Sequence, residues 1–223
     1  GFRDILRIQR VVRPRSFDLH WIKPRHLVER DLSLEVNERI GAHGEVVQPL
    51  NEDDVRTAIE HFRKAGITAI AISYMFSFLN ASHEIRTREL IHSLYPEAYV
   101  SISSDVYPQW REYERTSTTV IDVYLKPRID DYLTSLESGL QKRGNPNLLI
   151  MRSNGGVMTT SSAREQPVTM IQSGPAGGVI ASLHIGRLLD IDPLMTADIG
   201  GTSFDTSLIE GGQPSTTSTT ELE

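Results

Sequence analysis

Two apolar runs, "ITAIAISYM" and "AYVSIS", flank the helix-like stretch "HEIRTRELIHSLY". No other feature restricts the fold as strongly. A nearly continuous apolar run reads as a strand buried on both faces. Strand, helix and strand joined by short connections make a βαβ unit, and such a unit requires parallel pairing. The chain is therefore α/β. Its 223 residues, 39% of them hydrophobic, suffice for one sizeable core, or for one full domain plus a piece of another.

The surroundings agree with that unit. In "NEDDVRTAIEHFRKAG", Val55, Ala58, Ile59 and Phe62 recur at helical spacing, with Asn51 as N-cap and Gly66 as the stop. Ser82 is placed to cap the next helix, and Pro96 to end it. The first 50 residues read as extended and irregular, punctuated by Pro14, Pro24 and Pro49. Within them "LSLEV" alternates like a half-buried strand, and "AHGE" predicts a hairpin turn at Gly44. A long helix is expected from about Thr116 to Arg143. Its apolar stripe would be Ile121, Leu125, Ile129, Leu133, Leu136 and Leu140, with Pro127 kinking or dividing it and Gly144 closing it. After it, "NLLIMRSNGG" predicts a strand entering a glycine turn. "PVTMIQSGPAGGVIASLHIGRLLD" predicts strand, turn and helix, and "PLMTADIGGTSFDTSLIEGG" predicts strand, tight turn and strand.

Composition removes several kinds of function. The formal charge is -6, which argues against nucleic-acid binding but not against a magnesium–nucleotide ligand. With no cysteine, disulfides, thiolate metal sites and a cysteine nucleophile are excluded, and a cytoplasmic protein is the natural expectation. No apolar run approaches the ~20 residues of a membrane span, and "GFRDILRIQR" is too charged for a signal peptide.

The chemistry concentrates in three glycine turns. In "DIGGTSFD", Gly200 and Gly201 let backbone approach a ligand, permit positive φ, and offer N–H groups to an anion. The Thr202 hydroxyl adds a donor, and Asp198 is suited to a magnesium-bound water or to orienting a nucleophile. An ordinary Gly-Gly hairpin explains the same residues. It is not a Walker loop, because no Gly-Lys-Ser/Thr follows. In "SGPAGG", a helix starting near Pro175 would present free N–H groups beside Ser173 and Gly174, while Gly177 and Gly178 fit close helix packing. Asn154 in "SNGGVM" offers a side-chain amide, or serves only as a turn residue. Arg111 and Arg115 could clamp an anion or pair with acids such as Glu112 and Glu114. His83 suits a polar packing position.

Seven stretches, among them "GFRDILRIQRVVRPRSFD", "SFLNASHE", "REYERTSTTVIDVYLKP", "MRSNGGVM", "SGPAGGVIAS" and "DIGGTSFDTSLI", resemble in order the hydantoinase A / 5-oxoprolinase family, along nearly the whole chain. The resemblance implies an incomplete actin-like ATPase fold of ribonuclease-H-like halves, with a mixed sheet and flanking helices. Residues 1–50 would be the extended tail of an N-terminal region, 51–190 the α/β core, and 191–223 the first hairpin of the second half. It implies ATP and Mg2+ as cofactors. Asp198, Gly200, Gly201 and Thr202 would hold them with Asp205 in support, and Ser173, Gly174 and Asn154 would line the same cleft. It further implies a cyclic amide or ketone substrate and a hydantoinase B-type partner subunit or fused domain. The implied reaction is ATP-dependent opening of a cyclic amide, by phosphorylation of its carbonyl oxygen. The alternatives are a ketone carboxylase subunit and a non-catalytic nucleotide-binding module. The isolated chain, as an internal fragment, is expected not to turn over ATP.

Overall fold

A computed structural model describes residues 2–10, 17–144, 147–201 and 203–217. The chain divides into two compact units, Gly1–Asp131 and Tyr132–Glu223.

The first unit opens with a short helix, α1 (Ile5–Ile8), and a 3-10 turn, Arg30–Leu32, follows further along. Strands β1 (Arg39–Ile40) and β2 (Val46–Gln48) form the expected hairpin, turned at Gly44 with φ +83°. "LSLEV" is not a strand. Among the described residues it pairs with no strand, and the next backbone N–H, that of Asn37, bonds the Asp54 carboxylate at 2.9 Å instead of a ladder partner. Helix α2 (Glu52–Lys64) starts as expected: the Asn51 side chain accepts from the N–H groups of Asp53 and Asp54. Gly66, at φ +69°, follows its end.

Strand β3 (Ala69–Ile72), helix α3 (Ser82–Leu94) and strand β4 (Tyr99–Ile102) are the predicted βαβ unit, with β3 and β4 parallel and in register from Ala69↔Tyr99 to Ile72↔Ile102. Ile70, Ile72, Val100 and Ile102 meet Val55 and Ile59 of α2 and Leu90 and Ile91 of α3 in one core. The start of α3 differs from expectation. Ser82 is the first helical residue and Ala81 the N-cap, with no side-chain cap bond; one residue earlier, Asn80 Oδ1 accepts from the Ser82 N–H at 3.0 Å. A short α4 (Ser103–Val106) leaves β4 directly.

The long helix α5 (Glu112–Gln141) is continuous through Pro127, and Gly144 turns beyond it with φ +76°. The boundary between the units falls within it. Its buried positions are not the predicted stripe. Of the six apolar residues only Leu133 is fully enclosed, whereas Arg115, Thr119, Asp122 and Val123 are buried near its start.

The second unit contains the antiparallel pair β5 (Leu149–Met151) and β6 (Val157–Thr159), then α6 (Thr160–Glu165), α7 (Ser173–Leu189), and the meander β7 (Leu194–Ile199), β8 (Phe204–Glu210) and β9 (Gln213–Pro214). The expected strand before α7 is a 3-10 turn, Pro167–Met170. Pro167 opens it, and the Thr169 carbonyl is taken by both the N–H and the hydroxyl of Ser153, at 2.7 Å each. Among the described residues the strands thus form four small sheets, one parallel and three antiparallel, flanked by helices.

Candidate functional site

The β7–β8 hairpin carries the glycine doublet. Six register pairs zip the strands from Leu194↔Ile209 to Ile199↔Phe204, and Gly200 and Gly201 follow Ile199. Asp198 stands directly opposite Asp205. Like charges so placed repel and destabilise the ladder, so the local fold gains nothing from this pair. The Ser203 hydroxyl donates to Asp205 Oδ2 at 2.9 Å. Asp198, Gly200 and Gly201 are exposed and Asp205 is half-buried. Thr202 lies outside the described residues.

Neither Gly200 nor Gly201 takes a positive φ, so the turn does not need glycine for its dihedrals. A Cβ at Gly201 would meet nothing within 4 Å, and at Gly200 only the Ser203 carbonyl oxygen at 3.7 Å. The described chain therefore requires glycine at neither position. The Gly200 N–H is committed to the Ser203 carbonyl at 3.0 Å, so it serves the turn rather than a ligand. The doublet leaves an open, side-chain-free surface beside two carboxylates.

Asn154 and the start of α7 form a second group. The Asn154 carbonyl oxygen accepts from the Gly156 N–H at 3.1 Å, a turn role, and leaves its side-chain NH2 as the donor. Gly155 has φ +81°, and a Cβ there would come within 2.8 Å of Ile180, so here glycine is required by the fold. Ser153 joins this turn to α7, accepting from the Gln172 N–H at 3.1 Å. Asn154 and Ser173 are the next residues in sequence after the two partners of that bond. Gly177 contacts Met151, as helix packing predicts, but Gly174 and Gly178 face open space. The hairpin is attached at the other end of α7, where Gly186 lies against Leu194 and Arg187 donates to the Gly212 carbonyl at 2.9 Å. The structure thus builds two groups, each tied to α7.

The cationic residues fall elsewhere. Arg111 is exposed and lies over the Trp110 ring at 5.4 Å. Arg115 is fully buried. It donates to the carbonyls of Gln109 and Tyr74 at 2.8 and 2.9 Å and to the Ser103 hydroxyl at 3.2 Å. Burial pulls its pKa below the ordinary arginine value, against the Coulombic effect of Glu84. It is not placed to clamp a ligand. His83 is a packing residue, its Nδ1 at 2.8 Å from Glu38 Oε2. A cavity of ≈ 900 Å³ in the first unit is lined by β3 and α2 and by none of the hairpin or α7 residues.

The sequence reading missed the buried polar cluster around Arg115. Glu84, Ser103, Thr119 and Asp122 are all fully enclosed with it. Ser101 Oγ donates to Asp122 Oδ2 at 2.6 Å, and Thr119 Oγ1 to the Arg115 carbonyl at 2.7 Å. A signal existed: Arg115, Thr119, Asp122 and Lys126 recur at steps of four, three and four, one face of a helix.

Two family descriptions match the chain: the N-terminal region of hydantoinase/oxoprolinase over residues 1–95, and hydantoinase/oxoprolinase itself over residues 115–223. The chain belongs to the hydantoinase/oxoprolinase family. It is 38% identical over 192 residues to a caprolactamase subunit alpha from Pseudomonas jessenii, covering 85% of this chain and 28% of that one. It is 33% identical over 232 residues to 5-oxoprolinase 1 of Arabidopsis thaliana, covering 95% and 18% respectively. Among solved structures, the ATP-dependent caprolactamase of Pseudomonas jessenii superposes with a TM-score of 0.83 at 34% identity, over 93% of this chain and 30% of that one. A nucleotide-free acetone carboxylase gives 0.76 at 33%, over 85% and 27%. The expected fold class, an incomplete actin-like ATPase fold, agrees with these neighbours. The chain spans about a third or less of the length of these relatives.

Proposed function

We propose that the full polypeptide containing this chain is an ATP-dependent hydrolase of cyclic amides. The observation that carries the reading is the turn at residues 200–203. It is an open glycine doublet that the fold itself does not require, beside two carboxylates that repel one another across the ladder. A cation between Asp198 and Asp205 would relieve that repulsion, and a phosphate would explain the missing Cβ atoms. The residues present therefore fit magnesium and a nucleotide. Asp198 would hold Mg2+ through a bound water, with Asp205 in support. Gly200, Gly201 and Thr202 would lie against the phosphates, and Ser173, Gly174 and the Asn154 amide would line the cleft.

When bound, ATP supplies activation of a poor electrophile, the unstrained amide carbonyl, by phosphorylation of its oxygen. The chain's own residues orient and neutralise. Asp198 would hold a water by accepting a hydrogen bond from it, the glycine turn would admit charge without steric cost, and the Asn154 NH2 would donate to an incoming oxygen. Relatives named as subunits support a partner subunit of the hydantoinase B type, and the absence of cysteine fits a cytoplasmic protein. Among the described residues no helix is long and apolar enough to cross a membrane. A ketone carboxylase subunit is the second reading, favoured by the likeness to acetone carboxylase.

The test is ADP release by the full-length protein with its partner. The substrates are 5-oxoproline, a hydantoin, larger-ring lactams, and a ketone with bicarbonate. Stimulation by a cyclic amide is expected, and Asp198→Ala should lower it at least ~100-fold without loss of fold. Stimulation only by ketone and bicarbonate selects the second reading. Full activity of the variant removes Asp198 from the mechanism.

A further inference from the structure

Among the described residues, strand β3 pairs only with β4. The Tyr99 N–H bonds the Thr68 carbonyl at 2.7 Å, so the main-chain groups of Ile70 and Ile72 turn toward β4. Those of Ala69 and Ala71 turn to the other edge, where they meet no partner among the described residues. The same sheet satisfies its main chain elsewhere. On the outer edge of β4 the Val100 carbonyl accepts from Lys126 Nζ at 2.6 Å. Past the end of β3, Tyr74 sits in a clamp: its N–H donates to Glu84 Oε1 at 2.8 Å, and its carbonyl accepts from Arg115 Nη2 at 2.9 Å. Against that background the bare groups of Ala69 and Ala71 call for a partner, because unpaired main-chain groups away from water are rare and costly.

The bare edge opens on a groove. The ≈ 900 Å³ cavity of the first unit is lined by β3 along its whole length, Ala69–Ile72. Helices wall it from both faces of the sheet. Ile70 and Ile72 share a core with α2, whose Ala58 and Phe62 reach into one wall. On the opposite face Ser101 bonds Asp122 of α5, and α5 brings Val120 and Val123 to the other wall. Two helix layers thus extend past the last strand. The space between them is where one more strand would lie, about 4.8 Å beyond β3. Arg3 and His26 line the same groove, and Arg3 Nε and His26 Nδ1 are enclosed without a partner among the described residues.

The chemistry of the edge selects the occupant. A row of N–H and C=O groups between two apolar walls is matched by another extended main chain, not by a small molecule with a few polar atoms. The chain spans a third or less of the length of its relatives, so further polypeptide is at hand to supply it. Phe2 and Arg3 line the groove, which puts the stretch joined to them at its wall. We infer that the stretch of the longer polypeptide leading into Phe2 runs through this groove as a β-strand and pairs with the free edge of β3, extending the parallel sheet of the first unit.

Hydrogen exchange on the full-length polypeptide tests this without any substitution. The Ala69 and Ala71 amides should exchange within about tenfold of those of Ile70 and Ile72, which bond β4. On an open edge they would exchange at least ~100-fold faster, and that result overturns the inference. Protection that appears only when a partner subunit or a small-molecule substrate is added overturns it as well, since the occupant is then not this polypeptide. A proline scan of the about ten residues before Gly1 identifies the strand. Prolines at every second position should speed exchange at Ala69 and Ala71, because alternate residues pair with the edge. A scan that leaves both amides protected assigns the groove to another segment and removes the proposal. Ala71→Pro deletes one outward N–H and spares the β4 ladder. It should lower the Tm of the full-length protein by ~5 °C or more, whereas a loss within about 2 °C, as a true edge strand allows, would count against the added strand. If that variant fails to fold, the exchange rates of the parent still decide.

Discussion

Glycine has a different cause at each position in the second unit, and the causes separate by measurement. Gly155 is fixed by its φ of +81° and by Ile180, which an added Cβ would approach to 2.8 Å, so Gly155→Ala should cost more than about 1 kcal/mol. Gly178, inside α7, has an ordinary φ and open space, so Gly178→Ala should stabilise by about 0.5–1 kcal/mol. Gly201 is also unconfined, and Gly201→Ala should leave urea stability within about 0.5 kcal/mol. Yet if phosphate lies against that position, a methyl group there displaces it by an ångström or more, and stimulated ADP release should fall about 100-fold. Unchanged release in a stable variant would mean nothing approaches Gly201. The location of the doublet was legible from sequence. Its cause was not, because positive φ and close approach select the same residue type, and only coordinates show that the φ explanation fails at Gly200 and Gly201.

At the scale of elements, periodicity gave the helices and strands that are fixed by local chemistry. Asn51 caps α2, Gly66 follows its end, and the parallel pair appears where apolar runs bracket α3. It failed where tertiary partners decide. "LSLEV" alternates like a strand but pairs with none among the described residues, and "PVTM" becomes a 3-10 turn tied to Ser153. For α5 the helix was legible and the direction it faces was not. The start of the helix buries Arg115, Thr119 and Asp122, because polar partners from the ends of β3 and β4 await them. This reverses the usual consequence of truncation. Arg115→Met keeps apolar bulk but leaves Glu84 enclosed without its counter-charge, and should cost about 3–5 kcal/mol in urea unfolding. Glu84→Leu combined with Arg115→Met should recover much of that loss, since the stranded charge is gone. Additive losses in the double variant would show that the two charges do not act as a unit.

For the whole molecule, the ordered motifs identified the family, and the chain's short span relative to its relatives leaves activity to be tested on the longer polypeptide. What the chain fixes by itself is its pH range of stability. On the acid side, Glu52 and Glu137 are held below the ordinary 4.5 by hydrogen bonds from Arg86 and Arg164, and Asp4 below 3.8 by Arg30. A depressed carboxyl pKa contributes stability that is present above the unfolded value and lost as pH falls through the folded one, so this limb begins near pH 4.5. His92 acts earlier. Burial lowers its pKa from 6.5, so the folded state resists its protonation and stability declines as pH falls below about 6.5. On the alkaline side Tyr74 dominates. Burial pushes its phenol well above the ordinary 10.0, against a hydrogen bond with Thr87 Oγ1 at 3.0 Å. A raised pKa contributes stability that is fully present below pH 10 and lost above it, as the unfolded chain ionises and the folded one does not. Each pH unit above 10 should therefore remove about 1.4 kcal/mol through this one group. Urea unfolding at pH 9, 10 and 11 reads that slope directly. Tyr74→Phe should flatten it by one proton's worth, while lowering stability at pH 7 only by the lost hydrogen bond, about 1 kcal/mol. An alkaline slope identical in the two proteins would mean that the Tyr74 hydroxyl reaches solvent, and that the clamp on its backbone does not carry the side chain into the core.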